Sequence, residues 1–320
     1  MLVSFNEASE IIATGKFFHI AATEKLLKRL PKGNWVGGST EYFMAEEGGR
    51  VANDMVFITK LPFNKFKISV YDEKTISKIT TDGFDNGFSI VILPFDSGVH
   101  KTYAAKAPEF EEMFMKNIIG WVSGLNLDVP GQTPIAVNGK TGEAFSDKAV
   151  VVHVCIPDEK IVNIGIINIF DPDEKSPVFK FTNDGFSAKT CLVDGKEVNF
   201  ADYIAEKNID TKLPLIGDYS GQGINISFKT IEDGVVNFYA PVFPGIEYKL
   251  AKPIANYEKE FNSHLEKFKD VEAAFSCNCI LNFLYGELED KSVKSLLGPI
   301  TFGEVAYQLV NQTLVYLTVS

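Results

Sequence analysis

The strongest constraint on the fold is a recurrence of short apolar runs, each about as long as one β-strand and each closed by a turn signal. Residues 66–71 (Phe-Lys-Ile-Ser-Val-Tyr) alternate as a half-buried strand should, and residues 88–93 are continuously apolar apart from Ser89, as in a fully buried one. Asn138-Gly139 stands between two further runs, at 133–137 and 149–156, and Asn-Gly is a strong hairpin signal. The apolar, β-branched stretch 309–319 reads as a central strand. Helical periodicity is rarer. It predicts a short helix opened by Asn6, a helix at 18–30 carrying Ile20, Leu26, Leu27 and Leu30, and one from Ala107 to about Gly124 carrying Phe110, Phe114, Ile118 and Trp121. It also predicts one at 200–207 capped by Asn199 and one at 254–268. Strands with a few helices in irregular alternation make the expected class α+β, mostly antiparallel sheets with helices on their outer faces. An α/β/β/α layering is one arrangement that fits.

With 320 residues the chain is long enough for two domains, and the charged loop Asp171-Pro-Asp-Glu-Lys-Ser-Pro177 is the expected boundary, giving parts 1–172 and 173–320. The net charge of −11 comes without any basic cluster, which argues against a nucleic-acid footprint and against an anionic membrane surface. The N-terminus has no basic, then apolar, leader pattern, and the four cysteines lack the spacing of a secreted disulfide framework, so a cytoplasmic location is expected.

One stretch concentrates small polar groups at the ends of apolar runs. Residues 271–275 lead into Ser276, Cys277 and Asn278, and a Gly-Pro turn then opens a second strand at Phe302-Gly303-Glu304. Near the N-terminus, Trp35-Val36 leads into Gly37-Gly38 and then Ser39, Thr40 and Glu41. Paired glycines permit close backbone approach. Small polar groups at buried strand ends are where ligand-binding donors converge. The two places echo each other, as leucines, then Gly, Thr and Glu, which hints at two halves built alike. Gly38, Ser39, Thr40, Glu41, Ser276, Cys277, Asn278, Phe302, Gly303 and Glu304 are therefore the expected ligand-binding set. Glu41 and Glu304 could hold a ligand amine or act as paired carboxylates. A cysteine nucleophile at Cys277 would need a base, and none identifies itself nearby in sequence. Cys277-Asn-Cys279 falls short of a metal site, since the four histidines are scattered, and no metal or cofactor is expected. His153, in mid-strand, reads as a satisfied core residue.

In order along the chain, Val36-Gly-Gly-Ser-Thr40, residues 134–152 with Gly142 and Asp147, Val193-Asp-Gly-Lys-Glu197 with Asp202-Tyr203, Leu213-Pro-Leu-Ile216, Pro244-Gly-Ile-Glu-Tyr-Lys-Leu250, Phe275-Ser-Cys277 and Phe302-Gly-Glu304 resemble the FIST family of intracellular sensory domains. The resemblance implies N- and C-terminal FIST-like halves, small-molecule binding, an amino acid or related metabolite as ligand, and transmission of the bound state to an output. No output module is recognisable, so a protein partner in trans is expected. The arginine that often follows the Phe-Ser-Cys segment is replaced here by Asn278, Cys279 and Asn282. A cysteine-dependent hydrolase or transferase using Cys277 is the alternative.

Overall fold

In a computed structural model that describes residues 1–219, 221–291 and 296–320, the chain is α+β and divides into two compact units. The first comprises Met1–Ile167, Phe261–Leu309 and Thr313–Ser320. The second comprises Asn168–Glu260 with Val310–Gln312. This differs from the expected parts 1–172 and 173–320. The chain does leave the first unit close to the charged loop, but it comes back, so the second unit is an insertion.

The first unit repeats one topology three times. In the first repeat Leu2–Ser4 is an outer strand. Phe17–Ala22 and Trp35–Ser39 run parallel with the helix Glu24–Leu27 between them, Tyr42–Ala45 and Gly48–Val51 form a hairpin, and Met55–Leu61 closes antiparallel to Phe17–Ala22. The second repeat runs through Phe66–Tyr71, then Gly87–Pro94 and Ile118–Ser123 around the helix Gly98–Lys106, then Ala136–Asn138 and Glu143–Phe145, and closes with Ala149–Cys155. The third uses Val162–Ile167, then Phe275–Cys279 and Gly298–Thr301 around the helix Ile280–Tyr285, then Glu304–Ala306 and Gln308–Val310, and closes with Leu314–Val319.

Among the described residues, the hairpin of each of these three repeats adds to the sheet of another repeat. The hairpin of the second repeat adds to the sheet of the first (Ala136 opposite Gly38), that of the third to the second (Glu304 opposite Trp121), and that of the first to the third (Met44 opposite Gly298). The result is three six-stranded sheets of the same order, closed in a ring. Each repeat needs its neighbour to complete a sheet, so the first and third repeats share one sheet. The second unit enters the third repeat between its outer strand and the helix Tyr257–Glu266. The expectation of two related halves therefore gives way to a threefold repeat, and the leucine–glycine–threonine–glutamate echo links its first and third members.

Local chemistry explains the elements. The helix Phe5–Ala13 is opened by Ser4, not Asn6, through a capping box with Glu7. Residues 18–30 do not form one helix. Phe17–Ala22 is a strand buried along its whole length, and Thr23 then caps the one-turn helix Glu24–Leu27. Phe18 and Ile20 pack with Leu26, Leu27 and Trp35 under the helices, while His19 faces the other way, edge-on to Trp121 and Phe275. A strand covered on both faces loses its alternation and imitates helical spacing. The same holds for residues 107–124. Two 3₁₀ turns, Ala107–Glu109 and Met113–Met115, precede the buried strand Ile118–Ser123, where Ile118 and Ile119 are β-branched. Gly38 lies where the backbone must run close to that strand: a Cβ there would stand 2.6 Å from Ile92 and 2.8 Å from Trp121.

The second unit has an antiparallel six-stranded sheet and a three-stranded sheet around the helix Phe200–Lys207, capped by Asn199 as expected. Its centre is aromatic, with Phe179, Phe181, Phe200, Phe238 and Tyr248 in mutual ring contact.

Candidate functional site

The strand Ile118–Ser123 and the glycine after it hold the expected residues together, although the sequence gives no sign of that role. The Ser39 hydroxyl donates to the carbonyl of Gly124 at 2.8 Å and accepts from the N–H of Ile135 at 2.9 Å. Phe302 lies flat against Gly124, where any Cβ would collide with its ring, and stacks edge-on against Phe95. The Cys277 thiol points at the carbonyl of Gly120, 3.4 Å away. The Gly303 carbonyl accepts from Val122 at 2.8 Å, and Glu304 lies opposite Trp121 in the ladder. Thr40 ties the N-terminal residues to the third repeat by donating to the Ile300 carbonyl at 2.8 Å.

All of the expected residues are buried, but only some of them border a cleft. Ser39, Thr40 and Glu41 line a cleft of about 520 Å³ between the helix Glu24–Leu27, with Lys25 and Arg29 on that side, and the loop 124–133. Glu41 is held from both sides: Asn126 donates to one carboxylate oxygen and Gln132 to the other, each at 2.8 Å. Each oxygen keeps a further lone pair, so the carboxylate is fixed in direction yet can still accept from a guest. Asn126 and Gln132 went unmarked in the sequence. Their only local signal is the polar, Pro-Gly-containing loop that carries them, because their partner lies 85 and 91 residues away.

Gly38, Ser276, Cys277, Asn278, Phe302, Gly303 and Glu304 do not line this cleft. The Ser276 hydroxyl donates to the Leu297 carbonyl, and the Asn278 side chain accepts from Asn282. Glu304 is fully buried and accepts from the hydroxyls of Thr301 and Thr313, each at 2.9 Å, and from the Thr313 N–H at 3.3 Å. Burial raises its pKa to about 8, with the hydrogen bonds from Thr313 and Thr301 opposing the rise. Desolvation outweighs those bonds, so the interior favours the protonated acid over the carboxylate. Burial also pushes the Cys277 thiol well above its ordinary value, and Glu304 beside it adds to the rise. An activated cysteine needs the opposite surroundings.

A family model described as a family of unknown function, DUF6976, matches residues 3–320. The chain belongs to that family. A comparison with curated proteins found no match. Among the described residues no helix of this DUF6976 protein is long and apolar enough to cross a membrane.

One buried residue went unread. His19, completely buried, accepts from the Trp121 indole N–H at 2.8 Å through Nε2, which puts its own proton on Nδ1, an atom with no hydrogen-bond partner among the described residues. Burial lowers its pKa to about 3, so it is a neutral imidazole under ordinary conditions.

Proposed function

We propose that this protein binds a small zwitterion, of amino-acid type, in the cleft beside Glu41 and acts as a sensory protein on a partner in trans. The observation that carries the reading is the Glu41 carboxylate, 5% exposed and clamped by Asn126 and Gln132 at the wall of a cleft that Lys25 and Arg29 also line, together with Glu24 and Asp54. Holding a buried carboxylate in place with neutral amides is costly unless it meets a cation. A ligand ammonium would supply that cation. The ligand carboxylate would then meet Lys25 and Arg29, the two cationic side chains that line the cleft. The resemblance to FIST sensory domains supports the same class of ligand and a signalling role.

The Cys277 enzyme reading is weaker, because its thiol is sealed in the core and burial opposes its ionisation.

A thermal-shift screen of the free amino acids, followed by calorimetry on any hit, tests the proposal. At least one amino acid should raise the melting temperature, and Glu41→Gln should weaken its binding by about tenfold or more, the loss of one charge-assisted hydrogen bond. If no amino acid stabilises the protein, or if Glu41→Gln binds as tightly as the wild type, the proposal is wrong.

A further inference from the structure

A second chemistry-bearing group lies on the sheet of the second repeat, away from the cleft. His153 and Ser89 are ladder partners on adjacent strands, and the Ser89 hydroxyl is 2.8 Å from His153 Nδ1. The other ring nitrogen, Nε2, is 2.9 Å from the Tyr71 hydroxyl, which is itself 2.9 Å from a carboxylate oxygen of Asp82. Asp82 is fixed in turn, its N–H bonded to the Lys78 carbonyl after the turn Ile76–Ile79.

The direction of this chain follows from its last member. A carboxylate only accepts, so the Tyr71 O–H must donate to Asp82. The phenol oxygen then accepts from His153, which places the imidazole proton on Nε2. Nδ1 is left with a lone pair, and the remaining hydrogen, that of Ser89, points into it. A nucleophile, a base and groups that orient the base stand in hydrogen-bond order. Burial lowers the His153 pKa to about 4, with Lys67 adding to the drop and Asp82 opposing it, so the lone pair is available at neutral pH.

Ser89 and His153 are buried, and a small opening lies against Ser89. Ser89 forms the floor of a small opening of about 20 Å³ walled by Thr80, Gly83, Phe84, Met115 and Asn117. That is room for about one water-sized group. Gly83 lies over the pair: a Cβ there would stand at ordinary contact distance, 3.7 Å from His153 Nδ1 and 3.8 Å from the Ser89 hydroxyl.

We propose that Ser89, with His153 as general base and Tyr71 and Asp82 as positioning residues, is a nucleophile that accepts the acyl group of a small activated ester. In that step the Ser89 oxygen bonds to the ester carbonyl carbon and the bond from that carbon to the leaving oxygen breaks. The serine proton passes to His153 Nδ1 and then to the departing alkoxide, so no oxidant, reductant or further reactant is required. An opening this small favours the smallest acyl groups, formyl or acetyl.

The experiment is exposure of the full chain to p-nitrophenyl acetate, with peptide mass spectrometry to locate the acetyl group and the release of p-nitrophenol to give the rate. The expected result is acetylation of Ser89, absent in Ser89→Ala and slowed about 100-fold in His153→Gln, the range of a lost general base. Tyr71→Phe should slow it by about tenfold and should change the pH profile, since the imidazole loses the acceptor that fixes its tautomer. Circular dichroism reports whether each variant folds, and the wild-type peptide map decides independently of any variant. No acetyl group on Ser89 in the folded wild type overturns the proposal. So does acetylation of Ser89 at an unchanged rate in a folded His153→Gln or Tyr71→Phe variant.

Discussion

Glu41 and Glu304 follow the second parallel strand of the first and third repeats, and the two carboxyl groups have opposite surroundings. Glu41 stands at a cleft wall and is held by the amides of two flexible-looking side chains from a loop, Asn126 and Gln132. Glu304 sits in the sealed interior and is held by threonine hydroxyls and a backbone N–H from its own repeat. Apolar packing surrounds it: Trp121 lies across the ladder and Phe302 closes over Gly124 two residues away. Glutamates near the same turn of two related repeats thus face a cleft where a polar loop lies alongside and the interior where aromatic rings do. Related repeats can keep one frame and diverge in chemistry through the segment a neighbour lends.

The comparison breaks first at Glu304. Glu304→Ala would take the acceptor from the Thr313 hydroxyl and N–H in a fully buried space, leave Thr301 only the Asn278 carbonyl, and open a cavity as well. The expected loss is about 4 kcal/mol of unfolding free energy in a urea titration. A loss below about 1 kcal/mol would mean that water reaches this carboxyl group, and the contrast with Glu41 would disappear.

The next effect concerns pH. The folded-state pKa of Glu304 is raised from 4.5 to about 8. Its contribution is therefore fully present below the unfolded value and is lost as pH rises toward the folded one. Between these values the unfolded chain has released the proton that the folded chain retains, so stability falls by up to about 1.4 kcal/mol per pH unit. Glu304→Gln mimics the protonated acid and does not titrate. The stability of the wild type relative to this variant should fall steadily from pH 5 to about 8 and then level off. A difference that is flat with pH, measured by denaturation across that range, would show that Glu304 is already ionised in the fold.

How far the sequence reveals this arrangement depends on whether the signal is local. The helix Phe200–Lys207 was legible because its cap, Asn199, bonds three residues ahead. The strand at residues 66–71 was legible because it lies at the edge of its sheet and is only partly buried, so it alternates. Phe17–Ala22 and Ile118–Ser123 were read as helix because they are buried on both faces and carry no period-two pattern. The α+β class was legible from the strand and turn signals; the ring of exchanged hairpins was not, since each pairing joins segments from different repeats. At the cleft, Ser39, Thr40 and Glu41 showed themselves as polar residues after paired glycines. The amides that hold Glu41 did not, because contacts across repeats leave no local trace. Ser89 and His153, 64 residues apart, were hidden for the same reason.

The smallest effect is the sharpest test of the contrast, because it predicts stability and binding to part company. Glu41→Gln keeps the size of the side chain and one acceptor oxygen, and the cleft admits water to whatever is left unpaired. Its cost in unfolding free energy should stay below about 1 kcal/mol. One of the two loop amides, however, then meets an NH₂ group instead of an oxygen, so the clamp on residues 126–132 loosens on one side. Amide hydrogen exchange in that loop should quicken, while exchange in Ile118–Ser123, buried under the sheet ladder, should stay unchanged. If the loop and the strand quicken together, or if stability falls as far as it does for Glu304→Ala, then Glu41 is a structural carboxylate like its counterpart and the cleft is a gap in the packing.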